Sequence, residues 1–577
     1  MTAQTAPHPA VLFICQGGDI ELQALLLAAS LHRHLPSDAE RVACVPDAGQ
    51  GWSQPAPETL RILERLGCRI VSIRNPIDPT YGLANKISCM TVPVASPRRI
   101  FLDSDIVCLR APRFERLPPD EFMAKPVDSF TYGRGDDAWS RAYAAVGIAP
   151  PARTFTATVT GETCPPYFNS GVIVTSRGPE LAEIWIECVR SIQDISGRYF
   201  QEQAGLALAV LKSGMKFSLL DEELNYPASL KPVIPGREPA FGHYHHADII
   251  RREPVLLRPV LQLLDEHPDI AARLATSRKW EAIRKPPRRR KGWRVLLPPP
   301  RPFPREGNVV IPELVLTGIP RSGTSYLCKL LDHYRNCVVI NEPPEAVLSL
   351  ERFAIPWPLA CYFRDRRLRI LNAERISNKL DGDGMREDTA KEDVRVRYRP
   401  VIQSADFVLG VKNTQSFLCR LSGIREAMPH ARIIAAVRDP YDTIASWKTT
   451  FAHLRDADVS TVPIGHLQDP FMSEADRLVL RAIAETSSAA ERRARLWRFL
   501  AETILAHREQ ITVVHYKDLV MRPGETTRAM LAGWPAGALS KPLAASQPRG
   551  KSDALNDEDR QAIGDLCLDA SRGLGLI

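Results

Sequence analysis

No stretch of the 577-residue chain approaches the ~18 consecutive apolar residues that a membrane-spanning helix needs. The opening residues, MTAQTAPHPAVLFICQGG, lack the basic region and small-residue cleavage pattern of a secretory leader, so the expected location is the cytoplasm. The chain has twelve cysteines and no C-x-x-C pair, which argues against a zinc site or a disulfide framework and leaves the thiols as small buried apolar groups. Acidic residues are absent between Arg284 and Arg305, where nine Arg or Lys stand. Taking those nine cations off the net charge of +8 leaves −1 for the rest, so the overall basicity is no sign of a nucleic-acid partner.

The apolar content of 44% suffices to bury more than one core over this length. The basic stretch, RKPPRRRKGWRVLLPPPRPFPR, is also rich in proline, which removes backbone donors and favours extended chain. It marks a division into residues 1–283, a linker at 284–307, and residues 308–577. The linker reads as a stiff solvated spacer or, alternatively, as a surface that touches an anionic membrane or an anionic substrate.

In the first part, β-rich runs alternate with helix-period segments: VLFICQ, a helix over 20–35, RVACVP, a helix near 59–66, CRIVSI, a helix around Leu83, and RRIFLDSDIV. This alternation predicts an α/β fold of parallel strands and crossover helices, with ligands beyond the carboxyl ends of the strands. Asp103 and Asp105 leave the last run together. Two neighbouring carboxylates repel unless a cation lies between them, and hard divalent ions bridge carboxylate and phosphate oxygens. The other segments of note are Asn85-Lys86, Tyr167-Phe168-Asn169-Ser170-Gly171, Glu202-Gln203 and Phe241-Gly242-His243-Tyr244-His245-His246.

In this order, over residues 10–260, these segments resemble a retaining glycosyltransferase of the GT-A fold, of the glycogenin and lipopolysaccharide-galactosyltransferase type. The resemblance implies Mn²⁺ or Mg²⁺ binding a nucleotide sugar's diphosphate, with Asp103, Asp105 and His243 as ligands and His245 and His246 as rivals for the third place. It implies Lys86 near the diphosphate and Asn169 on a sugar hydroxyl; the plainer readings are a surface lysine and tight-turn chemistry. Glu202 stands where the family usually has Asp, which puts one donor-sugar contact in doubt.

In the second part, Pro312-Glu-Leu-Val-Leu-Thr-Gly runs into GIPRSGTSYLCKLLDHY, a strand, a glycine turn and a helix. Such a turn is an anion cradle, because its N–H groups and the helix dipole both favour phosphate. Gly318 to Ser325 has the spacing G-x-x-x-x-G-K-[ST], but Thr324 replaces the lysine that serves a nucleoside triphosphate. Two further segments follow: Ile433-Ile-Ala-Ala-Val-Arg438, with Ser446 eight residues on, and Ile511-Thr-Val-Val-His-Tyr516-Lys-Asp518.

Together these resemble the sulfotransferases that use 3'-phosphoadenosine-5'-phosphosulfate (PAPS). The resemblance assigns Arg321, Ser322, Gly323, Thr324 and Ser325 to the 5'-phosphosulfate loop, Arg438 and Ser446 to the 3'-phosphate, and Tyr516 to the nucleotide. It assigns Glu342 as the base, with Glu345 or His333 as rivals, and Lys412 as the active-site cation. Arg549-Gly550-Lys551 is a further nucleotide contact that departs from the family pattern. Residues 353–398 and 456–490, rich in Arg, Asp and Glu, read as solvated helices near the acceptor.

The expected whole is a two-domain α/β protein, a GT-A domain followed by a P-loop-like parallel-sheet domain, acting as a bifunctional transferase on a carbohydrate or glycosylated acceptor. Two alternatives remain. The first half could be a glycan-binding module without activity, or the second half a P-loop kinase, which Thr324 disfavours.

Overall fold

The structure is a computed structural model that describes residues 8–135, 137–284, 309–381, 384–385, 395–460, 462, 464–548 and 550–577. The linker, apart from Arg284, and Arg549 lie outside the described residues, and with them the contact with an anionic surface. The chain divides into two compact units, Met1–Lys285 and Pro286–Ile577. Among the described residues, no helix is long and apolar enough to cross a membrane.

The first unit is built on a seven-stranded sheet. Its strands are β1 (Ala10–Ile14), β2 (Arg41–Pro46), β3 (Cys68–Ile73), β4 (Arg99–Leu102), β6 (Phe122–Ala124), β9 (Val172–Thr175) and β10 (Phe217–Leu219), in the order β10-β6-β9-β4-β1-β2-β3. Between them come β5 (Ile106–Cys108) and the two-residue strands β7 (Phe155–Thr156) and β8 (Thr163–Cys164). The runs AVLFI and RVACVP are almost wholly buried and, apart from Arg41, apolar, as strands inside a covered sheet are. The helix expected over 20–35 spans Asp19–His34, with Asp19 and Glu21 in its first turn and His32, Arg33 and His34 in its last, as the helix dipole favours.

The expectation of uniformly parallel strands holds from β1 to β4 and fails at β9, which runs antiparallel to both β4 and β6. A turn at 169–171, not a crossover helix, leads into β9, so the strand returns alongside β4. A small second sheet pairs β5 with β12 (Phe241–His243), and β12 with β11 (Tyr226–Pro227). It carries the late histidines back to the exit of β4.

The second unit holds β13 (Glu313–Gly318), β14 (Cys337–Asn341), β19 (Val408–Lys412), β20 (Arg432–Val437) and β21 (Thr512–His515) in one parallel sheet ordered β14-β19-β13-β20-β21. Two small ribbons lie between β14 and β19: β15 (Ile376–Asn378) with β18 (Val396–Tyr398), and β16 (Leu380–Asp381) with β17 (Gly384–Met385). Because all five main strands are parallel, their carboxyl ends lie along one edge, where ligands of such sheets bind. Segments far apart in sequence therefore meet there.

Within 353–398, the first helix is not the solvated element its charge suggested. This helix, Trp357–Leu371, holds Arg364 and Arg367, which are both 1% exposed. Arg364 pairs with Glu313 at the start of β13, and Arg367 donates to the carbonyls of Phe407 and Pro312. These arginines fasten the helix to the buried end of the sheet.

Candidate functional site

In the first unit, the exit of β4 holds Asp103 and Asp105 in different surroundings. Asp103 lies 3.1 Å from the Lys86 ammonium, which also donates to Ser170 at 3.1 Å and lies 3.7 Å from Glu202. Burial opposes the charge on Lys86, but Asp103 and Glu202 outweigh it and hold the ammonium above its ordinary range. Burial pushes the Glu202 carboxyl up, to about 7, against the pull of Lys86.

Asp105 faces the histidines. His243 Nε2 is 3.0 Å from Asp105 Oδ1, and Nδ1 lies 3.1 Å from Asn225 Oδ1. Burial would raise the Asp105 carboxyl, but His243 draws it below the usual carboxylate range. The His245 ring stacks on His243 at 4.0 Å, and burial followed by the neighbouring His243 charge pushes it down to about 4. A neutral imidazole is the form that binds metal. Asp105, His243 and His245 are, among the described residues, the one group of three His, Cys, Asp or Glu side chains whose ligand atoms lie within 4.8 Å of one another. His246, the other rival, is exposed.

The turn before β9 packs directly on this group. A Cβ on Gly171 would stand 2.6 Å from the His243 ring, so only glycine fits. Asn169 donates to Asp128 at 2.8 Å and accepts from Asn225 at 3.0 Å. Lys125, 1% exposed at its side chain, pairs with Asp128. Sequence reasoning missed Lys125, Asp128 and Asn225. The first two follow directly on β6, and an acid just past a strand exit was the available signal; Asn225 carried none.

In the second unit, the turn after β13 leads into the helix Thr324–Asp332, whose amino terminus no side chain caps. Its first-turn N–H groups are therefore available to an anion. Arg321 and Gly323 both have left-handed backbones, with φ of 71° and 82°. A Cβ on Gly323 would lie 2.5 Å from the Tyr516 ring, so glycine lets the ring close over the turn. Ser322 is fully buried and its Oγ has no hydrogen-bond partner among the described residues, a donor that a bound phosphosulfate could engage.

Arg438, two residues beyond the last pair of β20 and β13, stacks on Tyr516 at 4.4 Å and pairs with Asp442 at 3.2 Å. Asp439 caps the helix Pro440–Thr449 by accepting from the N–H groups of Tyr441 and Asp442. That helix brings Ser446 to within 3.2 Å of Arg321, joining the two expected phosphate positions. The Lys551 N–H donates to Asp442 at 2.7 Å, so the late segment reaches the same place.

On the other side of β13, Asn341 pairs with Lys412 in register, and the two strand exits place Glu342 against Lys412 at 2.5 Å. Lys412 also donates to Ser325 at 3.3 Å. The second Glu342 oxygen accepts from Lys379 at 2.6 Å, a residue that sequence reasoning passed over. Burial alone would raise the Glu342 carboxyl, but Lys412 and then Lys379 pull it down, to about 2. Glu345 points elsewhere, exposed and 3.4 Å from Arg366. His333 follows the far end of the helix Thr324–Asp332, about 13 Å of helix from the turn at ~1.5 Å per residue.

Residues 11–214 match the Rhodobacterales glycosyltransferase domain, and residues 312–534 match the sulfotransferase family. No curated protein matches the chain. Among solved structures, mouse xyloside xylosyltransferase 1 is similar at 15% identity, over 41% of this chain and 97% of its own, with a TM-score of 0.28. The galactosyltransferase LgtC, solved with donor and acceptor sugar analogues, shares 15% identity over 41% of this chain and 86% of its own, TM-score 0.28. The glycosyltransferase GlyE of Streptococcus pneumoniae shares 15% over 61% and 79%, TM-score 0.29.

Proposed function

We propose that this chain, a glycosyltransferase domain followed by a sulfotransferase domain, transfers a sugar from a nucleotide sugar and a sulfuryl group from PAPS to carbohydrate hydroxyls. The observation that carries the second activity is the meeting, at one sheet edge, of a glycine turn without lysine whose Arg321 touches Ser446, of Arg438 against Tyr516, and of the pair Glu342–Lys412. Arg321, Ser322, Gly323, Thr324 and Ser325 hold the phosphosulfate, Arg438 and Ser446 the 3'-phosphate, and Tyr516 packs beside them. Glu342 accepts the acceptor hydroxyl's proton. As sulfur passes to the acceptor oxygen, negative charge grows on the oxygen that bridged phosphorus and sulfur, and Lys412 lies where it can stabilise it.

The first activity is supported by the donor set at the exit of β4. One carboxylate and two imidazoles form a mixed nitrogen and oxygen set that fits Mn²⁺ better than Mg²⁺, which takes oxygen ligands. A bound ion would neutralise the diphosphate of the leaving nucleotide. Asp105, His243 and His245 would hold it; Asp103 remains the family's other carboxylate and orients Lys86. Asn169 and Asp128 form a polar floor for a sugar.

The test is thermal stability with each donor. 3'-Phosphoadenosine-5'-phosphate should raise the melting temperature without a divalent ion, and ATP should not match it. An equal shift with ATP would return the glycine turn to the kinases.

A further inference from the structure

Glu342 is clamped on both oxygens, and the two cations come from opposite sides of the site. Lys412 ends β19 and touches Ser325 in the phosphosulfate turn. Lys379 comes from the ribbon segment after β15, which is stitched to β14 by Asn378: its side chain accepts from the Asn341 N–H at 2.9 Å and donates to the Val339 carbonyl at 2.7 Å. The same region holds the Glu342 backbone, since Arg395 donates to the Glu342 carbonyl at 2.6 Å. That backbone has φ of 49°, a conformation costly for a side chain larger than glycine and maintained only by such contacts.

We propose that Lys379 is a positioning residue for the sulfuryl transfer, which holds the Glu342 carboxylate toward the acceptor while Lys412 serves the donor. The inference rests on the sulfotransferase reading of this unit. Two ammoniums meet one carboxylate beside the turn. An anionic phosphosulfate seated in the turn offers Lys412, already 3.3 Å from Ser325, a second partner. Lys379, 6% exposed at its side chain, reaches Glu342 from the ribbon rather than from the turn and holds Oε2.

In the transfer, the acceptor hydroxyl gives its proton to Glu342 and its oxygen bonds to sulfur. The bond from sulfur to the bridging oxygen breaks, and the electron pair leaves with 3'-phosphoadenosine-5'-phosphate. Lys379 fixes which lone pair faces the hydroxyl. Among the described residues, the charged and titratable groups that face Glu342 include Lys412 on β19, Lys379 after β15, Arg395 at its carbonyl and the neutral Cys328 thiol on the helix Thr324–Asp332.

Two measurements decide the matter, made on full-length protein with Lys379→Met and Lys379→Arg. In the first, hydrolysis of PAPS is followed against pH. The parent rate should stay level as pH falls toward 4, because both cations keep the carboxylate ionised. Removing one nearby cation should move the acidic limb of Lys379→Met upward by roughly 1 to 2 units, the usual effect of an opposite charge at this range. kcat should fall about tenfold or more with little change in donor KM, as expected for a mispositioned acid or base, and Lys379→Arg should restore the limb. In the second, the Glu342 carboxyl is titrated by infrared difference, with Glu342→Gln as the blank; its midpoint should rise in Lys379→Met and return in Lys379→Arg. Coincident titrations and limbs in parent and Lys379→Met would overturn the proposal. An unshifted melting temperature of the parent with 3'-phosphoadenosine-5'-phosphate would instead sink the sulfotransferase reading, and the infrared titration would still decide the hold of Lys379 on Glu342. A normal shift in Lys379→Met shows that the variant is folded.

Discussion

At the scale of single residues, the clearest contrast is between the two aspartates of the β4 exit, alike in sequence and unlike in surroundings. Asp103 is met by an ammonium at 3.1 Å, Asp105 by an imidazole at 3.0 Å. A divalent ion replacing the His243–Asp105 contact would find His245 in place as a third ligand. His245→Ala should therefore weaken Mn²⁺-dependent sugar-nucleotide binding by 10-fold or more, as judged by calorimetry, whereas His246→Ala should leave it within about twofold. Equal affinities in His245→Ala and parent would move the third ligand back to Asp103. Sequence order was enough to nominate His243, because the acidic pair and a late histidine form a recognisable series. It could not show that His245 rather than His246 stands beside His243, since that depends on His245 having φ of 57°, which turns its ring onto His243.

At the scale of elements, the strands and their exits were legible and the insertions were not. VLFICQ, RVACVP and the strand before Glu342 are apolar runs whose ends are marked by turn or charged residues, and the structure places a strand at each. Residues 353–398 are rich in charge, and charge normally means solvent; Arg364 and Arg367 are buried because Glu313 and the carbonyls of Phe407 and Pro312 await them at the sheet. No local pattern records a partner 51 residues away. The same reason hid Lys379, which is unremarkable until β14 and the ribbon meet.

A buried pair of this kind makes a sharp prediction. Arg364→Met should leave Glu313 charged and unpaired in the core, apart from its contact with His430, and lower the stability of the second unit by roughly 3–5 kcal/mol. Adding Glu313→Gln should recover much of the loss, because the uncompensated charge goes too. Chemical denaturation of the two variants checks this; equal instability of single and double variants would mean that packing, not charge, dominates there.

At the scale of the whole molecule, each unit has its own apolar core. One gathers residues from Ala10 to Met215, and two others gather residues between Leu314 and Leu574. Cores of this size can unfold separately, so calorimetry should resolve two transitions. A ligand that binds only the native state stabilises by about 2.7 kcal/mol at a hundred times its dissociation constant, which moves the melting temperature of a unit of this size by roughly 5–10 °C. 3'-Phosphoadenosine-5'-phosphate should move one transition, and a nucleotide sugar with Mn²⁺ the other. The substitutions assign them. Arg438→Ala removes a guanidinium from the 3'-phosphate position and should abolish the first shift alone; Asp105→Asn keeps the shape of a metal ligand without its charge and should abolish the second alone. Loss of both shifts from either change would mean that the two donor sites are coupled, and the reading of two independent transferases on one chain would have to be given up.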